Sequence, residues 1–103
     1  MATAATFEVL AEPTRRRILD LLRERERPVG ELVKKLKLSQ PGVSKHLRVL
    51  REAGLVSVRS EAQRRIYGVR PGPLAEVDEW LEPYRRLWSG HLDQLERHLE
   101  KED

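Results

Sequence analysis

The stretch LSQPGVSKHLRVLREAGLV, residues 38–56, decides the fold of this chain. Ser39 is a favourable N-cap and Gly54 is a typical helix stop, so the stretch predicts a helix over about 40–53. Three apolar residues recur at helical spacing and lie within about 60° of one another around the axis. They are Val43, Leu47 and Leu50. This side of the helix is expected to pack inward, and the opposite side to face solvent.

The outward side of this helix carries groups that suit DNA. In a recognition helix the N-terminal end reaches base edges in the major groove. Gln40 can pair with adenine, Ser44 with several base edges, and Lys45 with guanine or phosphate. Arg48 and Arg51, further along, suit phosphates. An ordinary solvated helix face is the competing interpretation of the same pattern.

Other polar residues near this helix are expected to have structural roles. His46 lies beside the apolar side, which favours a packing histidine at the helix edge over a base reader. The three consecutive arginines at 15–17 are interpreted as a solvated face, one of which can reach a phosphate.

The flanking sequence predicts the rest of the fold. Apolar residues at helical spacing indicate three short helices upstream, separated by Pro13 and Pro28. After Gly54 the period changes from 3.6 to 2, and 55–69 reads as a β-hairpin around the polar turn EAQR. Four helices, two strands and a last helix make a mainly α-helical α+β chain with a small hairpin. This is a winged helix-turn-helix, predicted as one domain over 1–103.

The hairpin, or wing, is predicted to carry cations at its tip. Gln63, Arg64 and Arg65 suit the DNA backbone or the minor groove. Wings often have glycine in the turn, and Ala62 stands there instead. Together with the helix, the predicted DNA-binding residues are Ser39, Gln40, Pro41, Ser44, Lys45, Arg48, Arg51, Gln63, Arg64 and Arg65.

The last helix is predicted over about 73–100. Its apolar seam alternates by three and four residues, and Pro83 either kinks the helix or divides it. The charge changes here as well. Residues 1–70 have 16 Lys and Arg against 8 Asp and Glu, a charge of +8, whereas 71–103 have 4 against 9, a charge of −5. A basic part suits a polyanion, and an acidic part suits protein contact.

Composition excludes several classes of protein. The chain has no cysteine, which excludes disulfides and thiolate metal ligands. It has no apolar run near 18 residues, no signal-peptide pattern and no glycine-rich phosphate loop. The three histidines form no acid–base constellation. We therefore expect a cytoplasmic protein that is not an enzyme and needs no cofactor or membrane.

The stretches LAEPTRRRILDLL (10–22), LSQPGVSKHLRVLREAGLV (38–56) and IYGV (66–69) resemble the ArsR family of bacterial winged-helix repressors. The resemblance implies that Gln40, Pro41, Ser44 and Lys45 read DNA. It implies a homodimer on a pseudo-palindromic operator, often its own promoter, with the first and last helices packed across the two-fold axis. The implied dimer residues are Phe7, Leu10, Leu74, Val77, Leu81, Tyr84, Trp88, His91 and Leu95.

The resemblance also raises the question of whether the protein senses a metal, because many relatives release DNA when a metal binds. Segment 28–36 has none of the cysteines that one family site needs. For the site on the last helix, Asp78 and His91 match, but Trp80 and Gln94 replace two ligands. An indole cannot coordinate zinc, so we expect no metal response.

Several alternatives stay open at this point. His91 and His98 are seven residues apart, enough for weak metal binding or a pH-sensitive dimer. A small-molecule inducer is compatible with the sequence but not identified by it. A winged-helix protein-interaction module and a non-specific architectural DNA-binding protein are the competing functions. A protein-interaction module disagrees with the cationic face of the helix. An architectural protein differs from a repressor in the ratio of its affinity for one sequence to its affinity for competitor DNA.

Overall fold

The computed structural model describes residues 4–101, with the side chains of 4–91, 94–97 and 99. It confirms a mainly helical fold with a small antiparallel sheet. The elements in chain order are α1 (Ala4–Ala11), α2 (Pro13–Glu24), β1 (Arg27–Pro28), α3 (Val29–Leu36), α4 (Gln40–Glu52), β2 (Val56–Glu61), β3 (Arg64–Val69) and α5 (Gly72–Lys101).

The core lies between α2, α3, α4 and the base of the hairpin. The predicted inward side of α4 is confirmed, since Val43, Leu47 and Leu50 are all buried. They meet Ile18 of α2 and Leu32 of α3, which are also fully buried. Burying a side chain of this kind stabilises the fold by about 1.5–3 kcal/mol, so these contacts fix the orientation of α4. Its outward side is left free.

Capping residues define where the helices begin and end. The Ser39 hydroxyl oxygen accepts from the Gly42 backbone N–H at 3.2 Å, as an N-cap should. The Glu12 side chain caps α2 in the same way, accepting from the Arg15 backbone N–H at 3.0 Å. After α4, Gly54 has a positive φ of 76°, a conformation that glycine adopts without strain. The chain then turns directly into β2.

The sheet has three strands, not the two that the sequence predicts. Its order is β1-β3-β2, with β1 antiparallel to β3 through the pairs Arg27 with Tyr67 and Pro28 with Ile66. A two-residue strand is too short to show any alternation of apolar and polar residues. Pro28 has no N–H to donate, and it is tolerated because β1 is an edge strand.

Arg27 on this edge strand is buried, with 3% of its surface exposed. Its guanidinium donates to the Leu21 carbonyl at 3.0 Å, Glu24 at 2.6 Å and Glu31 at 2.5 Å. Desolvation alone raises the pKa of Glu31, but hydrogen bonds from Arg25 and Arg27 outweigh it and lower the pKa overall. The arginine therefore joins the end of α2 to the start of α3.

The last helix is continuous through Pro83, which answers whether the proline divides it. Arg85 donates to the Asp78 carboxylate at 2.6 Å, so side chains on both sides of the proline are linked. A helix of 30 residues is about 45 Å long. It is not a membrane span, because none of the helices in residues 4–101 combines the required length and apolar character.

Candidate DNA interface and pairing surface

The outward side of α4 is as exposed as the sequence predicts. All six predicted DNA-binding residues on this helix lie at the surface, and they are Gln40, Pro41, Ser44, Lys45, Arg48 and Arg51. Ser39 is exposed too, although its hydroxyl oxygen is already engaged in capping the helix. It retains its hydroxyl hydrogen as a donor. Its role in α4 is thus structural first.

The wing differs from the predicted one at its tip. Glu61 pairs with Arg64, so the two-residue turn is Ala62 and Gln63. Arg64 and Arg65, predicted in the tip, are the first residues of β3. Ala62 has a φ of 55°, in the left-handed region where glycine is preferred. Both arginines are exposed, so the strand presents them at the end of the hairpin.

Residues of α4 and of the wing converge on one cleft. It has a volume of about 260 Å³, and its floor includes Leu47 and Tyr67. Its polar lining comes from two elements that are distant in sequence. These residues are Gln40, Ser44, Arg48 and Arg51 of α4, together with Arg65 of β3. Pro41 and Lys45 do not line this cleft.

A second, wider cleft adjoins the first and shares Gln40 and Arg65 with it. It has a volume of about 680 Å³ and lies between the wing and the start of α3. Gln63 and Arg64 line one side, and Lys34 of α3 lines the other. Sequence reasoning missed Lys34, because nothing local to α3 indicates that its outer face opposes the wing.

The cations around these clefts have no carboxylate partners among the described residues. This holds for Lys34, Arg48, Arg51, Arg64 and Arg65. By contrast, Arg59 on the same hairpin pairs with Glu26 at 3.3 Å and with Glu61 at 2.8 Å. Hydrogen bonding to Glu26, and secondarily to Glu61, raises the pKa of Arg59 above its ordinary value. The interface therefore keeps its positive charge available, which suits phosphates.

His46 lies at the edge of α4 and packs there, as expected. Its Nδ1 accepts a hydrogen bond from Arg15 Nε at 3.3 Å and lies 3.9 Å from Glu12 Oε2. Of the three consecutive arginines, Arg15 is half-buried and Arg16 donates to the Leu10 carbonyl at 2.8 Å. Interpreting all three as a solvated face was thus wrong for Arg15, whereas Arg16 and Arg17 are exposed.

The outer part of α5 exposes an apolar surface. Among the predicted dimer residues, Val77 and Leu81 are half-buried, whereas Tyr84, Trp88 and Leu95 are 45%, 54% and 47% exposed. Leu87, not predicted, and Leu99, at the end of the predicted seam, are exposed still further. His91 is exposed as well, and the side chain of His98 lies outside the described residues. Such a contiguous apolar surface marks an interaction site.

Two of the predicted dimer residues also pack inside the protomer. Leu10 and Leu74 pack partly against the protein's own core, which corrects the expectation that Leu74 belongs to the dimer surface alone. Phe7 remains 39% exposed. Its ring meets Trp80 edge-on, with centroids 5.4 Å apart, and Trp80 in turn contacts Tyr84 at 5.0 Å. The aromatic contact attaches α1 to α5.

Two of the four residues at the metal-site positions implied by the resemblance have other contacts. Asp78 is ion-paired with Arg85, and Trp80 packs between Phe7 and Tyr84. Among the described side chains, no group of three His, Asp or Glu residues is placed to hold a metal ion.

Comparisons with known proteins agree with this geometry. Residues 12–58 match the family model described as bacterial regulatory protein, arsR family. Over 86 residues the chain is 40% identical to the HTH-type transcriptional regulator Rv2034 of Mycobacterium tuberculosis, covering 84% of this chain and 78% of that protein. It is 31% identical over 75 residues to the transcriptional repressor SdpR of Bacillus subtilis, covering 73% and 83%.

The fold is similar to solved structures as well. A crystal structure of the ArsR family transcriptional regulator RHA00566 superposes with a TM-score of 0.73 at 29% identity. The match covers 86% of this chain and 97% of that one. The matched family segment, 12–58, contains all of α4, so the helix with the exposed cations lies within the segment that matches the family model.

Proposed function

Because the chain belongs to the ArsR family of bacterial regulatory proteins and is a DNA-binding transcriptional regulator, not an enzyme, we propose that it is a homodimeric repressor. Each protomer, a single domain over 1–103, reads one half of a pseudo-palindromic operator. The N-terminal part of α4 lies in the major groove, and the wing lies along the backbone.

One observation carries the DNA-reading part of the proposal. It is the cleft that Arg48 and Arg51 of α4 line together with Arg65 of the wing, while Gln40 and Ser44 line it nearer the N-terminal end of the helix. Amide and hydroxyl groups discriminate base edges, whereas guanidinium groups neutralise phosphates. This arrangement supports base reading by Gln40 and Ser44. Lys45, Ser39 and Pro41 lie outside the cleft, and we propose that they aid base reading because they are exposed in the same part of the chain. The same arrangement supports backbone contacts by the arginines and Gln63.

The exposed surface of α5 supports pairing of two protomers. Tyr84, Trp88 and Leu95 recur on one face of the helix at spacings of four and seven residues. Each buried side chain of this size contributes about 1.5–3 kcal/mol to association. A second α5 related by a two-fold axis presents the same surface, so the contact is self-complementary. Phe7, held against Trp80, extends it.

The regulatory sign and the effector are proposed from the chain's own residues and its relatives. SdpR, which is named a repressor, supports repression. Asp78 paired with Arg85, and an indole at Trp80, support a protein that does not respond to metal. We propose that the protein acts in the cytoplasm and that any inducer is a small molecule and not a metal ion.

Selection of genomic DNA fragments by the purified protein, with and without Zn²⁺, tests this proposal. We expect enrichment of a palindrome that includes the protein's own promoter, with half-sites one helical turn or a multiple of it apart. Zn²⁺ should leave the enrichment unchanged. Uniform recovery of fragments would instead identify a non-specific architectural protein, and no retention of DNA would favour a protein-interaction module.

A further inference from the structure

A polar cluster behind the DNA interface joins three helices. Arg15, near the start of α2, donates from Nε to His46 Nδ1 on α4 at 3.3 Å. The same guanidinium donates from Nη1 to the Val9 carbonyl of α1 at 3.5 Å. Glu12 Oε2 lies 3.9 Å from His46 Nδ1 and accepts from the Arg15 backbone N–H at 3.0 Å. We call these three side chains, Glu12, Arg15 and His46, the α2–α4 joint.

The hydrogen bond from Arg15 requires a lone pair on Nδ1 of His46. Arginine is always a cation in proteins and only donates. The contact is therefore made by a ring that carries its proton on Nε2. Protonation of Nδ1 would remove the acceptor and place two cations in contact. The carboxylate of Glu12 is the partner that remains.

Two charged side chains are in contact with His46, and both belong to the start of α2. Of the elements packed against it, α2 contributes Glu12 and Arg15, and α1 contributes only the Val9 carbonyl, through Arg15. On α4 itself, Lys45 is exposed and has no partner among the described residues. For Glu12, desolvation raises the pKa, but the Arg15 backbone hydrogen bond and nearby positive charge outweigh it and lower the pKa. Glu12 is therefore an anion near neutral pH.

We propose that Arg15 and His46 are positioning residues of the recognition helix, and that protonation of His46 exchanges its partner from Arg15 to Glu12 and shifts α4 against α2. His46 lies one residue from Lys45 and two from Ser44, so a movement at the joint moves the reading residues with it. Arg15 also holds the end of α1, whose Phe7 contacts α5. The joint thus connects the reading helix to the pairing surface. The consequence for DNA rests on the proposed function, whereas the exchange itself does not.

Nuclear magnetic resonance tests the exchange without DNA. Between about pH 8 and about pH 5.5, the range in which histidine titrates, the Arg15 Nε–H signal and the α4 backbone amides are followed together with the His46 ring. We expect all three to change along one titration curve. In His46→Asn, whose side-chain oxygen falls near the position of Nδ1 and does not titrate, we expect the α4 amides to stay constant. If the α4 amide signals of the wild type do not change when the His46 ring signal changes with pH, the proposal is overturned.

Binding measurements on the selected fragment test the consequence for reading. The readout is the affinity for that fragment divided by the affinity for competitor DNA, because an added positive charge raises both affinities alike. We expect the ratio to fall roughly fivefold on acidification, the lower end of typical couplings between sites. It should stay constant in His46→Asn. In Glu12→Gln, which keeps an oxygen for the cap but removes the anion that receives the protonated ring, the fall should be smaller.

The remaining outcomes separate the joint from its alternatives. A ratio independent of pH in the wild type, or a full pH effect in His46→Asn, overturns the proposal. A pH effect that disappears in His91→Asn instead assigns it to the pairing surface. If no fragment is selected at any pH, the proposed function fails, and the resonance experiment still decides whether the joint exchanges partners.

Discussion

The protein has two exposed surfaces of opposite chemistry. Around the clefts between α4 and the wing, exposed cations such as Arg48 and Arg65 stand beside buried apolar residues such as Leu47 and Tyr67. On the outer half of α5, Trp88 and Leu95 are exposed themselves. The solvated charges of the first surface suit binding of a polyanion. The apolar area that the second surface exposes to water suits burial against a protein.

Because the two surfaces lie in different parts of the chain, DNA and the proposed second protomer would bind at separate sites. The basic part of the sequence supplies the first surface, and the acidic part, 71–103, supplies the second. Counterion release favours binding on the basic side, and burial of apolar area favours it on the other. Increasing salt should weaken the first association and leave the second largely intact. A substitution on the basic surface should therefore change the salt dependence of DNA binding, whereas a substitution on the apolar surface of α5 should change the association of protomers.

The largest effect is expected from Trp88→Glu, which places a carboxylate in the apolar surface of α5. A dimer binds its second half-site at an effective concentration that monomers lack, so operator affinity should fall by about 10²–10⁴-fold. Sedimentation should show monomers, and circular dichroism should show an intact fold.

Ser89→Glu is the matched control, since it introduces the same charge about 100° further round the helix. We expect it to remain dimeric with nearly normal affinity. Dimers of Trp88→Glu that bind the operator normally would contradict the assignment of this surface to pairing.

The sequence predicts those features of the fold and the two surfaces that depend on residues close together in the chain. The two sides of α4 follow from the helical spacing of Val43, Leu47 and Leu50, and the exposed cations follow from the same wheel. Strand β1 does not, because two residues carry no period and its pairing partner, Ile66 or Tyr67, is nearly 40 residues away. Continuity of α5 through Pro83 also depends on what surrounds the proline.

Buried polar residues are the other feature that sequence patterns miss. Arg27 looks like any surface arginine, yet it is buried because Glu24 and Glu31 lie three and four residues from it on opposite sides. That spacing was the available signal. Arg15 meets His46 across 31 residues, and Lys34 opposes the wing across the sheet edge, so tertiary packing alone reveals them.

Gln40→Ala tests whether the surface around α4 reads bases. Losing an amide that pairs with adenine should remove about 1–3 kcal/mol of discrimination at one base pair in each half-site. Competition binding with a set of singly substituted operators measures this loss. Arg51→Ala is the comparison, and it should weaken binding to all these operators alike. Equal loss on every sequence in both variants would contradict the assigned division between base and backbone contacts.

Arg64→Ala and Arg59→Ala compare a free cation with a paired one on the same hairpin. Arg64 has no carboxylate partner among the described residues, so its removal should lower the slope of log affinity against log salt by about 1 per protomer. Arg59 is neutralised by Glu26 and Glu61, and its removal should change that slope little. Salt titrations of binding to operator and competitor DNA measure both. Equal slopes for the two variants would show that ion pairing does not decide which arginines meet phosphate.

The smallest effect is expected from Ala62→Gly in the turn of the wing. Ala62 has a φ of 55°, a conformation that costs an L-residue about 1–2 kcal/mol, whereas the extra unfolded-state entropy of glycine offsets roughly 0.5–1 kcal/mol. The variant should therefore unfold in urea with a free energy about 0.5 kcal/mol higher, and its salt slope on DNA should not change. Ala75→Gly, in the first turns of α5, should have the opposite sign because glycine weakens a helix by about 1 kcal/mol. Destabilisation by both variants would mean that the turn does not hold Ala62 in the left-handed conformation, and the position of Arg64 and Arg65 at the start of β3 would have to be revised with it.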